Sequence, residues 1–483
     1  MDLTVGKPLG RILLFMLPLL IGTVFQQFYS LADTVVVGQT LGKAALGGVG
    51  STGCISFLIT GFVGGLTQGY SVVTSQRFGA RDDDGVRRSF ANGIVLTVVI
   101  VGCVTAVAVP VAGPLLRAIN TDAEYYPYAL EYITVVFGGM LLSAMYNHFA
   151  STLRAVGDSA VPLYFLIFSS FVNIGLDCLF ILKFDLGVKS AALATLVSQT
   201  LSAALTFVYI WFKYPWLRPS PRHFRPSAKR YWEQLKLGLP MGLQMSVISI
   251  GMIFGQKALN TLAADAVPAY TTASKTDGLA TSIIGSFGSA SATFVGQNYG
   301  AKRYDRIKTG LKQFTLFGAG LSAVLGITVI ALNRPMLMMF IPEDERTSQM
   351  FDYALEYLIF NGGFYVLLST LCIFRSALQG MGRGTVALAG GVAEVFMRVG
   401  VSIIAEHCGD YTVVCLLNSA SWMGANVIFV PCLLCVLKKY IAHGKTNIRK
   451  LRLENPSDLP AQYKARVKRA VKNGEKRRIT VDV

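Results

Sequence analysis

Three polar side chains interrupt stretches of the sequence that are otherwise apolar, and their types suit the binding of a proton. Asp33 is the only formal charge in Ile12–Gly38, and Asn173 and Asp177 stand at i, i+4 on one helical face of the run 161–182. A carboxylate at the centre of a bilayer costs roughly 2.5 kcal/mol or more on insertion scales. A chain keeps such a group where function needs it, so these residues predict an intramembrane site that loads and releases a proton.

Other polar residues of the same segments extend this candidate site. Gln26, Tyr29 and Asp33 fall at i, i+3 and i+7, so a helix places all three on one face. Pro18 lies in the same run and predicts a bend, because proline removes a backbone hydrogen bond. Asn147, in the fourth apolar run, is a further candidate for lining a cavity.

One pair of opposite charges lies deeper in the sequence. Glu394 and Arg398 stand at i, i+4 in the eleventh apolar run, where they could neutralise each other. Two interpretations are open for this pair. It is either a structural ion pair or a gate that contacts substrate.

The composition and the apolar runs indicate what positions these residues. Of the 483 residues 53% are hydrophobic and only 15% are charged, whereas a soluble domain has about 25% charged residues. Twelve runs each come near the ~20 apolar residues that a spanning helix needs. The sequence therefore predicts an all-α integral membrane protein with twelve transmembrane helices, at 12–38, 46–76, 89–112, 127–150, 161–182, 191–212, 234–257, 277–299, 312–333, 351–374, 385–405 and 412–437.

The basic residues predict the orientation in the membrane. If residue 1 lies inside, the inner loops and tails hold 35 Lys and Arg and the outer loops hold 8. This asymmetry favours cytoplasmic amino and carboxyl termini. The net charge of +17 lies mainly between apolar runs and in the tail 441–483, which indicates contact with anionic lipid and not with nucleic acid.

Two halves of the sequence repeat each other. Gln76–Arg81 matches Gln297–Lys302 at an offset of 221, and the pentapeptide YALEY occurs at Tyr128–Tyr132 and again at Tyr353–Tyr357. Each half has an even number of predicted spans, so the two repeats are parallel. The expected architecture is two six-helix bundles with a cleft between them, where transporters bind their substrates.

The repeat also sets the expected boundaries. Residues 1–212 form the first bundle, a proline-containing cytoplasmic linker covers 213–232, residues 233–440 form the second bundle, and the basic tail 441–483 follows. We expect a monomer of the plasma membrane whose partners are small organic molecules and membrane lipids.

The sequence gives no sign of enzymatic chemistry. It contains no HExxH zinc motif and no GxxxxGK[ST] phosphate loop, and it offers no nucleophile with a partner base. We therefore expect neither a metal nor an organic cofactor. Energy for transport would come from an ion gradient.

The motifs together resemble the multidrug and toxic compound extrusion (MATE) family of transporters. The resemblance covers nearly the whole chain from Gly10 to about Lys439 and rests on the order of the motifs. These are Leu31–Gly38, the two Gly-Ala-Arg/Lys loops, Arg154–Asp158, Asn173–Asp177, Leu186–Gly187 with Ala191–Thr195, and Glu394 with Arg398.

The resemblance implies cation-coupled export of amphipathic, often cationic, compounds through alternating access of the two bundles. It implies that Asp33 binds the coupling cation together with Asn173 and Asp177. In that family the positions of Gln26, Tyr29, Asn147 and Thr195 line the cavity of the first bundle. The position of Pro18 is a bend of the first helix that responds to protonation.

One departure from the family pattern bears on the ion. Members with a sodium site in the second bundle have acids in spans seven and ten, but here span seven has none and span ten has only Glu356 at its edge. The coupling site is therefore expected in the first bundle, which favours H⁺ and leaves Na⁺ open. The alternative functions are a lipid-linked oligosaccharide flippase of related fold and, from another class, a passive channel.

Overall fold

The molecule is built from α-helices throughout the part of the chain that can be described. The computed structural model describes residues 1–119, 121–184, 187–259, 266–338 and 348–454, without the side chains of 31–39, 42, 43, 46, 182, 268, 336, 337, 348 and 443–454. These residues contain no strand. The helices are α1 Pro8–Ser51, α2 Gly53–Gly79, α3 Asp83–Ala118, α4 Tyr126–Gly138, α5 Met140–Ala155, α6 Ala160–Leu182, α7 Lys189–Lys213, α8 Ala228–Leu259, α9 Ala266–Gly300, α10 Tyr304–Ala331, α11 Asn333–Met338, α12 Ser348–Gly363, α13 Tyr365–Gly380, α14 Gly384–Cys408 and α15 Tyr411–Glu454.

The helices agree in position with the predicted spans. Among the described residues nine helices are long and apolar enough to cross a membrane, and two bent helix pairs raise the number to eleven. The 27-residue helix α2 covers most of the predicted segment 46–76. A helix or a bent pair therefore lies at each of the twelve predicted segments.

Two of the predicted spans are broken helices. The axes of α4 and α5 differ by 48°, and those of α12 and α13 differ by 45°. The first break lies at the adjacent glycines 138–139, and the second directly follows the adjacent glycines 362–363. Glycine lowers helix propensity by about 1 kcal/mol, so a helix yields at these points. The two breaks lie at matching places in the repeat.

The first-half helices (α1–α7) meet the second-half helices (α8–α15) along two seams. At the seam between α2 and α8, a Cβ on Gly69 would lie 2.4 Å from the Cα of Gly238, so only glycine permits this approach. At the seam between α1 and α9, the Gln27 amide donates to the Ser282 hydroxyl. Both halves therefore contribute to any cavity between the seams.

The repeated motifs close one end of the molecule, which we call the motif face (residues 76–81 and 297–302). A Cβ on Gly79 would lie 1.8 Å from the carbonyl oxygen of Gln297, and a Cβ on Gly300 would lie 1.8 Å from that of Gln76. The two helix ends thus cross backbone to backbone, with pseudo-twofold symmetry.

Side-chain hydrogen bonds across the halves repeat the same symmetry. Gln76 Nε2 donates to the carbonyl oxygen of Gly380 at 2.8 Å, and Gln297 Nε2 donates to that of Ala155 at 2.9 Å. The residues that adopt the left-handed conformation in these motifs are Arg81 (φ 60°) and Lys302 (φ 57°). The motif glycines therefore allow the two backbones to approach closely, whereas the left-handed residue of each turn is basic.

The residues before α1 lie against the motif face. Leu3 is fully buried, its amide donates to Gln297 Oε1 at 2.9 Å, and its carbonyl accepts from Asn298 Nδ2 at 3.2 Å. Asp2 forms an ion pair with Arg81 of the first half at 2.6 Å. The segment before α1 thus joins both halves at the face where they already touch.

Several element boundaries differ from the expected ones. Helix α1 continues to Ser51, where a loop was expected after residue 38. Helix α8 begins at Ala228, inside the expected linker 213–232, and two short 3₁₀ turns precede it. Helix α15 extends to Glu454, into the expected tail. Hydropathy marks only the apolar core of each helix, so helices that extend beyond the membrane are underestimated.

Candidate functional site

A buried polar cluster in the first half contains four of the predicted site residues. Asn173 and Asp177 on α6 are both buried, and Thr195 faces them from α7. The surroundings of Asn173 select the amide orientation in which its nitrogen lies 2.6 Å from Tyr29 Oη and 3.2 Å from Asp177 Oδ2. Its oxygen then accepts from the Thr195 amide at 2.9 Å. Three helices therefore converge on one amide group beside a carboxylate.

The remaining predicted residues of the first helix have different surroundings. The backbone of Asp33 is part of α1, but its side chain lies outside the described residues. Gln26 is exposed, unlike the half-buried Tyr29 one turn further along α1. Pro18 lies within α1, which continues on both sides of it.

A cavity of about 310 Å³ lies between the halves and is separate from this cluster. It follows one face of α2 from Phe57 to Ser75 and is bounded by α5, α8 and α9. Asn147, predicted as a cavity residue, lines it from α5, whereas Tyr29 and Thr195 do not. Of the four predicted cavity residues, one thus lines this cavity, two belong to the Asn173 cluster, and Gln26 is in neither.

The two charged residues predicted to pair in span eleven do not form an ion pair with each other. Glu394 and Arg398 are both buried on α14. Glu394 Oε1 lies 3.7 Å from the Arg375 guanidinium of α13. Arg398 instead donates to Asn418 Oδ1 on α15 at 2.8 Å. Each charge therefore has a partner on a neighbouring helix, and the helical spacing alone gave the wrong partner.

A further buried acid, Asp277 of α9, was not among the predicted site residues. Its carboxylate accepts from Tyr365 Oη at 2.7 Å and from Tyr357 Oη at 3.4 Å. Asn418 Nδ2 donates to the same Tyr357 oxygen at 3.4 Å, which connects Asp277 to Arg398. The second half therefore buries Asp277 in addition to the predicted acid Glu394.

The sequence contained a signal for Asp277. It is the first residue of the predicted span 277–299, and an acid at the end of a span is expected at the membrane–water interface. Helix α9 begins at Ala266, which places Asp277 about three turns inside the helix. Because the start of this helix was predicted too late, the burial of the Asp277 carboxylate was not predicted.

The described residues contain no group of three His, Cys, Asp or Glu side chains that could hold a metal ion. A carboxylate surrounded by an amide and hydroxyl groups can instead accept a proton or, with further oxygen ligands, a hydrated monovalent cation. Asp177 with Asn173, Thr195 and Tyr29 has this donor set.

Outside the spans, the carboxyl group of Asp2 has an altered acidity. Burial alone would raise the pKa of Asp2, but hydrogen bonds from the Thr4 amide and hydroxyl and the nearby Arg81 charge lower it below its ordinary value. Asp2 is therefore ionised in the segment that joins the halves at the motif face.

Two repeated helical halves that enclose a cavity, with a polar cluster buried in each half, define a multi-pass membrane transporter. The chain belongs to the MatE family, because the model of that family matches residues 18–179 and 240–404. The two matched segments correspond to the two halves of the repeat. The predicted MATE resemblance is confirmed.

Similar proteins agree with this assignment. The chain is 27% identical over 387 residues to the probable multidrug resistance protein YpnP of Bacillus subtilis, a match that covers 79% of this chain and 84% of YpnP. It is 26% identical over 441 residues to the probable multidrug resistance protein YoeA of the same organism, covering 88% and 92%.

A solved structure establishes the fold in three dimensions. The outward-facing conformation of a multidrug resistance MATE family transporter of the MOP superfamily superimposes with a TM-score of 0.84 at 23% identity. The match covers 91% of this chain and 98% of that one. The predicted all-α membrane fold with two helix bundles is confirmed.

Proposed function

We propose that this protein is a cation-coupled antiporter that exports amphipathic, often cationic, drugs or metabolites by alternating access. Membership of the MatE family and the names of the relatives support multidrug export. The observation that supports coupling is the buried carboxylate of Asp177 beside the Asn173 amide, with Thr195 and Tyr29 around it. Asp33, from α1, is proposed as the second acid of this site.

The coupling mechanism follows from the cost of a buried charge. When Asp177 is ionised in this low-dielectric cluster, a bound H⁺ or Na⁺ offsets its charge. Release of the cation on one side and substrate on the other would then favour opposite orientations of the two halves. Pro18 lies in the helix that contributes Tyr29 to the cluster, which supports its proposed role as a responsive bend.

The remaining parts of the proposal concern the setting of the protein. We place it in the plasma membrane as a monomer, with its termini and the motif face in the cytoplasm. The first bundle would comprise 1–212, the linker 213–232 and the second bundle 233–440, followed by the tail 441–483. The excess of basic residues on that side supports this orientation and contact with anionic lipid.

The test is transport in proteoliposomes with proton and sodium gradients imposed separately. Wild type is expected to move a cationic dye under at least one gradient. The Asp33→Asn and Asp177→Asn variants should lose that movement by about tenfold or more, since coupling energies commonly correspond to 5–150-fold. Asp352→Asn, which alters an exposed acid of α12, is the matched control and should behave as wild type.

Two results would contradict the proposal. Undiminished gradient-driven efflux in Asp33→Asn and Asp177→Asn would remove the assigned coupling site. Movement of a lipid-linked oligosaccharide without any gradient-driven dye efflux would favour the flippase alternative.

A further inference from the structure

Among its lining residues the cavity between the halves has a single charged side chain, Arg154 at the end of α5. Six serines and threonines on its wall, at 67, 71, 75, 151, 289 and 293, and the amides of Gln68 and Asn147 complete the polar part of the lining. These groups can donate hydrogen bonds, and none of them has a negative charge. The cavity is therefore electropositive.

The Arg154 guanidinium has no carboxylate partner within the described part of the chain. Its Nη2 donates to Ser151 Oγ at 3.0 Å, and no ion pair found among the described residues includes Arg154. Asp158 is the nearest acid in sequence, but it accepts from Tyr214 Oη at 2.7 Å and from the Val161 amide at 3.2 Å. Removing a guanidinium from water without a counterion is costly, so an anionic ligand would be stabilised there.

The repeat indicates that the fold does not require this charge. Gly157 (φ 87°) and Gly382 (φ 80°) are matching left-handed glycines of the two halves, and they align Arg154 with Gln379. Gln379 is neutral and donates to Gln244 Oε1 at 3.1 Å. The same turn is thus made in the second half without a cation.

The cavity is also amphipathic along its length. At the end far from the motif face it is lined by Phe57 of α2 and by Met245 of α8, which lies against Gly61. At the other end Ser75 and Arg154 lie next to the closed motif face. A ligand that fits this gradient has an apolar body and an anionic group at one end.

We infer that Arg154 receives a carboxylate or phosphate group of an amphipathic substrate whose apolar part lies against Phe57 and Met245. This inference rests on the proposed function and names the substrate class of its cavity. A compound that is cationic elsewhere fits as a zwitterion, because its positive part can lie away from Arg154. A planar guanidinium can donate two parallel hydrogen bonds to either anion.

Two dyes with the same ring system test the inference directly. Rhodamine 110 has a free carboxylate, and rhodamine 123 is its methyl ester. Fluorescence anisotropy with the purified full-length protein should give wild type about tenfold higher affinity for rhodamine 110, as expected for one charge-assisted hydrogen bond. Arg154→Gln should abolish this preference and leave rhodamine 123 binding unchanged.

Two further variants separate charge from folding. Arg154→Lys keeps the charge but not the bidentate geometry, so it should retain part of the preference. Lys312→Gln removes an exposed positive charge of α10 and should match wild type. If Arg154→Gln does not fold, the wild-type preference and the Arg154→Lys result remain decisive.

Several outcomes would overturn the inference. These are equal binding of the two dyes by wild type, equal weakening of both dyes by Arg154→Gln, or no binding of either dye. Gradient-driven efflux of rhodamine 123 tests the proposed function independently. Efflux without a carboxylate preference would remove the inference alone, and a carboxylate preference without efflux would remove the proposed function alone.

Discussion

The two halves of the molecule share one backbone plan and differ in the charges that they bury. In the first half, the Asp177 carboxylate faces the neutral Asn173 amide. In the second half, Asp277 is bound by two tyrosine hydroxyls and connects through Asn418 to the Arg398 guanidinium. The second network therefore contains a positive charge that balances its acid.

This difference separates two uses of a buried acid. A carboxylate balanced by a guanidinium has little need of an added cation, and its network holds helices α9, α12, α13, α14 and α15 together. The described partner of Asp177 is the Asn173 amide, which has no charge of its own to offset that of an ionised carboxylate. We therefore propose that the first half couples transport to the cation and that the network of the second half is structural, and the following predictions test this proposal.

The largest expected effect is a contrast between two matched acid variants. Asp177→Asn should lower gradient-driven dye efflux about tenfold or more, because an amide has neither the negative charge that a bound cation offsets nor a site that takes up a proton. Asp277→Asn should retain efflux per folded molecule, while thermal unfolding in detergent shows lower stability. Loss of efflux in Asp277→Asn at wild-type stability would mean that both halves couple.

The next largest effect is expected from adding a methyl group where the two backbones touch at the motif face. Gly79→Ala and Gly300→Ala each place a Cβ at 1.8 Å from a carbonyl oxygen of the other half. Both should destabilise the closed arrangement, by about 1–3 kcal/mol as for other overpacked sites, and to a similar extent because the contact is symmetric. Thermal unfolding measures this effect, with Gly320→Ala on α10, where a Cβ meets nothing within 4 Å, as the control. A large difference between Gly79→Ala and Gly300→Ala would break the symmetry claim.

A smaller effect should distinguish the two glutamines that bridge the halves. Gln76→Ala removes one described cross-half hydrogen bond, whereas Gln297→Ala removes the bond to Ala155 and the bond from Leu3. A typical hydrogen bond contributes about 1 kcal/mol. Hydrogen exchange of residues 1–6 should therefore increase more in Gln297→Ala, and equal exchange in both variants would contradict the asymmetry.

The smallest expected effect concerns Asp2, whose ion pair with Arg81 is partly exposed. Asp2→Asn should loosen residues 1–6 by less than about 1 kcal/mol at pH 7, as other surface ion pairs do. Since the folded state lowers the pKa of Asp2 from its ordinary 3.8, its contribution is present above that value and is lost as the pH falls below it. The difference in hydrogen exchange between variant and wild type should be present at pH 7 and absent at strongly acidic pH.

Particular residues show how far the sequence could predict this structure. The apolar runs and the repeat of Gln76–Arg81 in Gln297–Lys302 predicted the helices and the symmetry, because both depend on local periodicity. The i, i+4 spacing placed Asn173 beside Asp177 for the same reason. Partners on other helices, such as Arg375 for Glu394, depend on packing between distant segments, which no local pattern contains.

The crossing of α2 and α9 at the motif face restricts how the two halves can move. The carbonyl oxygen of Gln297 occupies the place where any residue other than Gly79 would have its Cβ, and Gln76 and Gly300 repeat this on the other side. A shear motion, in which the helices slide along each other, would bring a side chain into each of these places. In the proposed alternating access, the halves would therefore separate here as a hinge, with both contacts lifted together in one step.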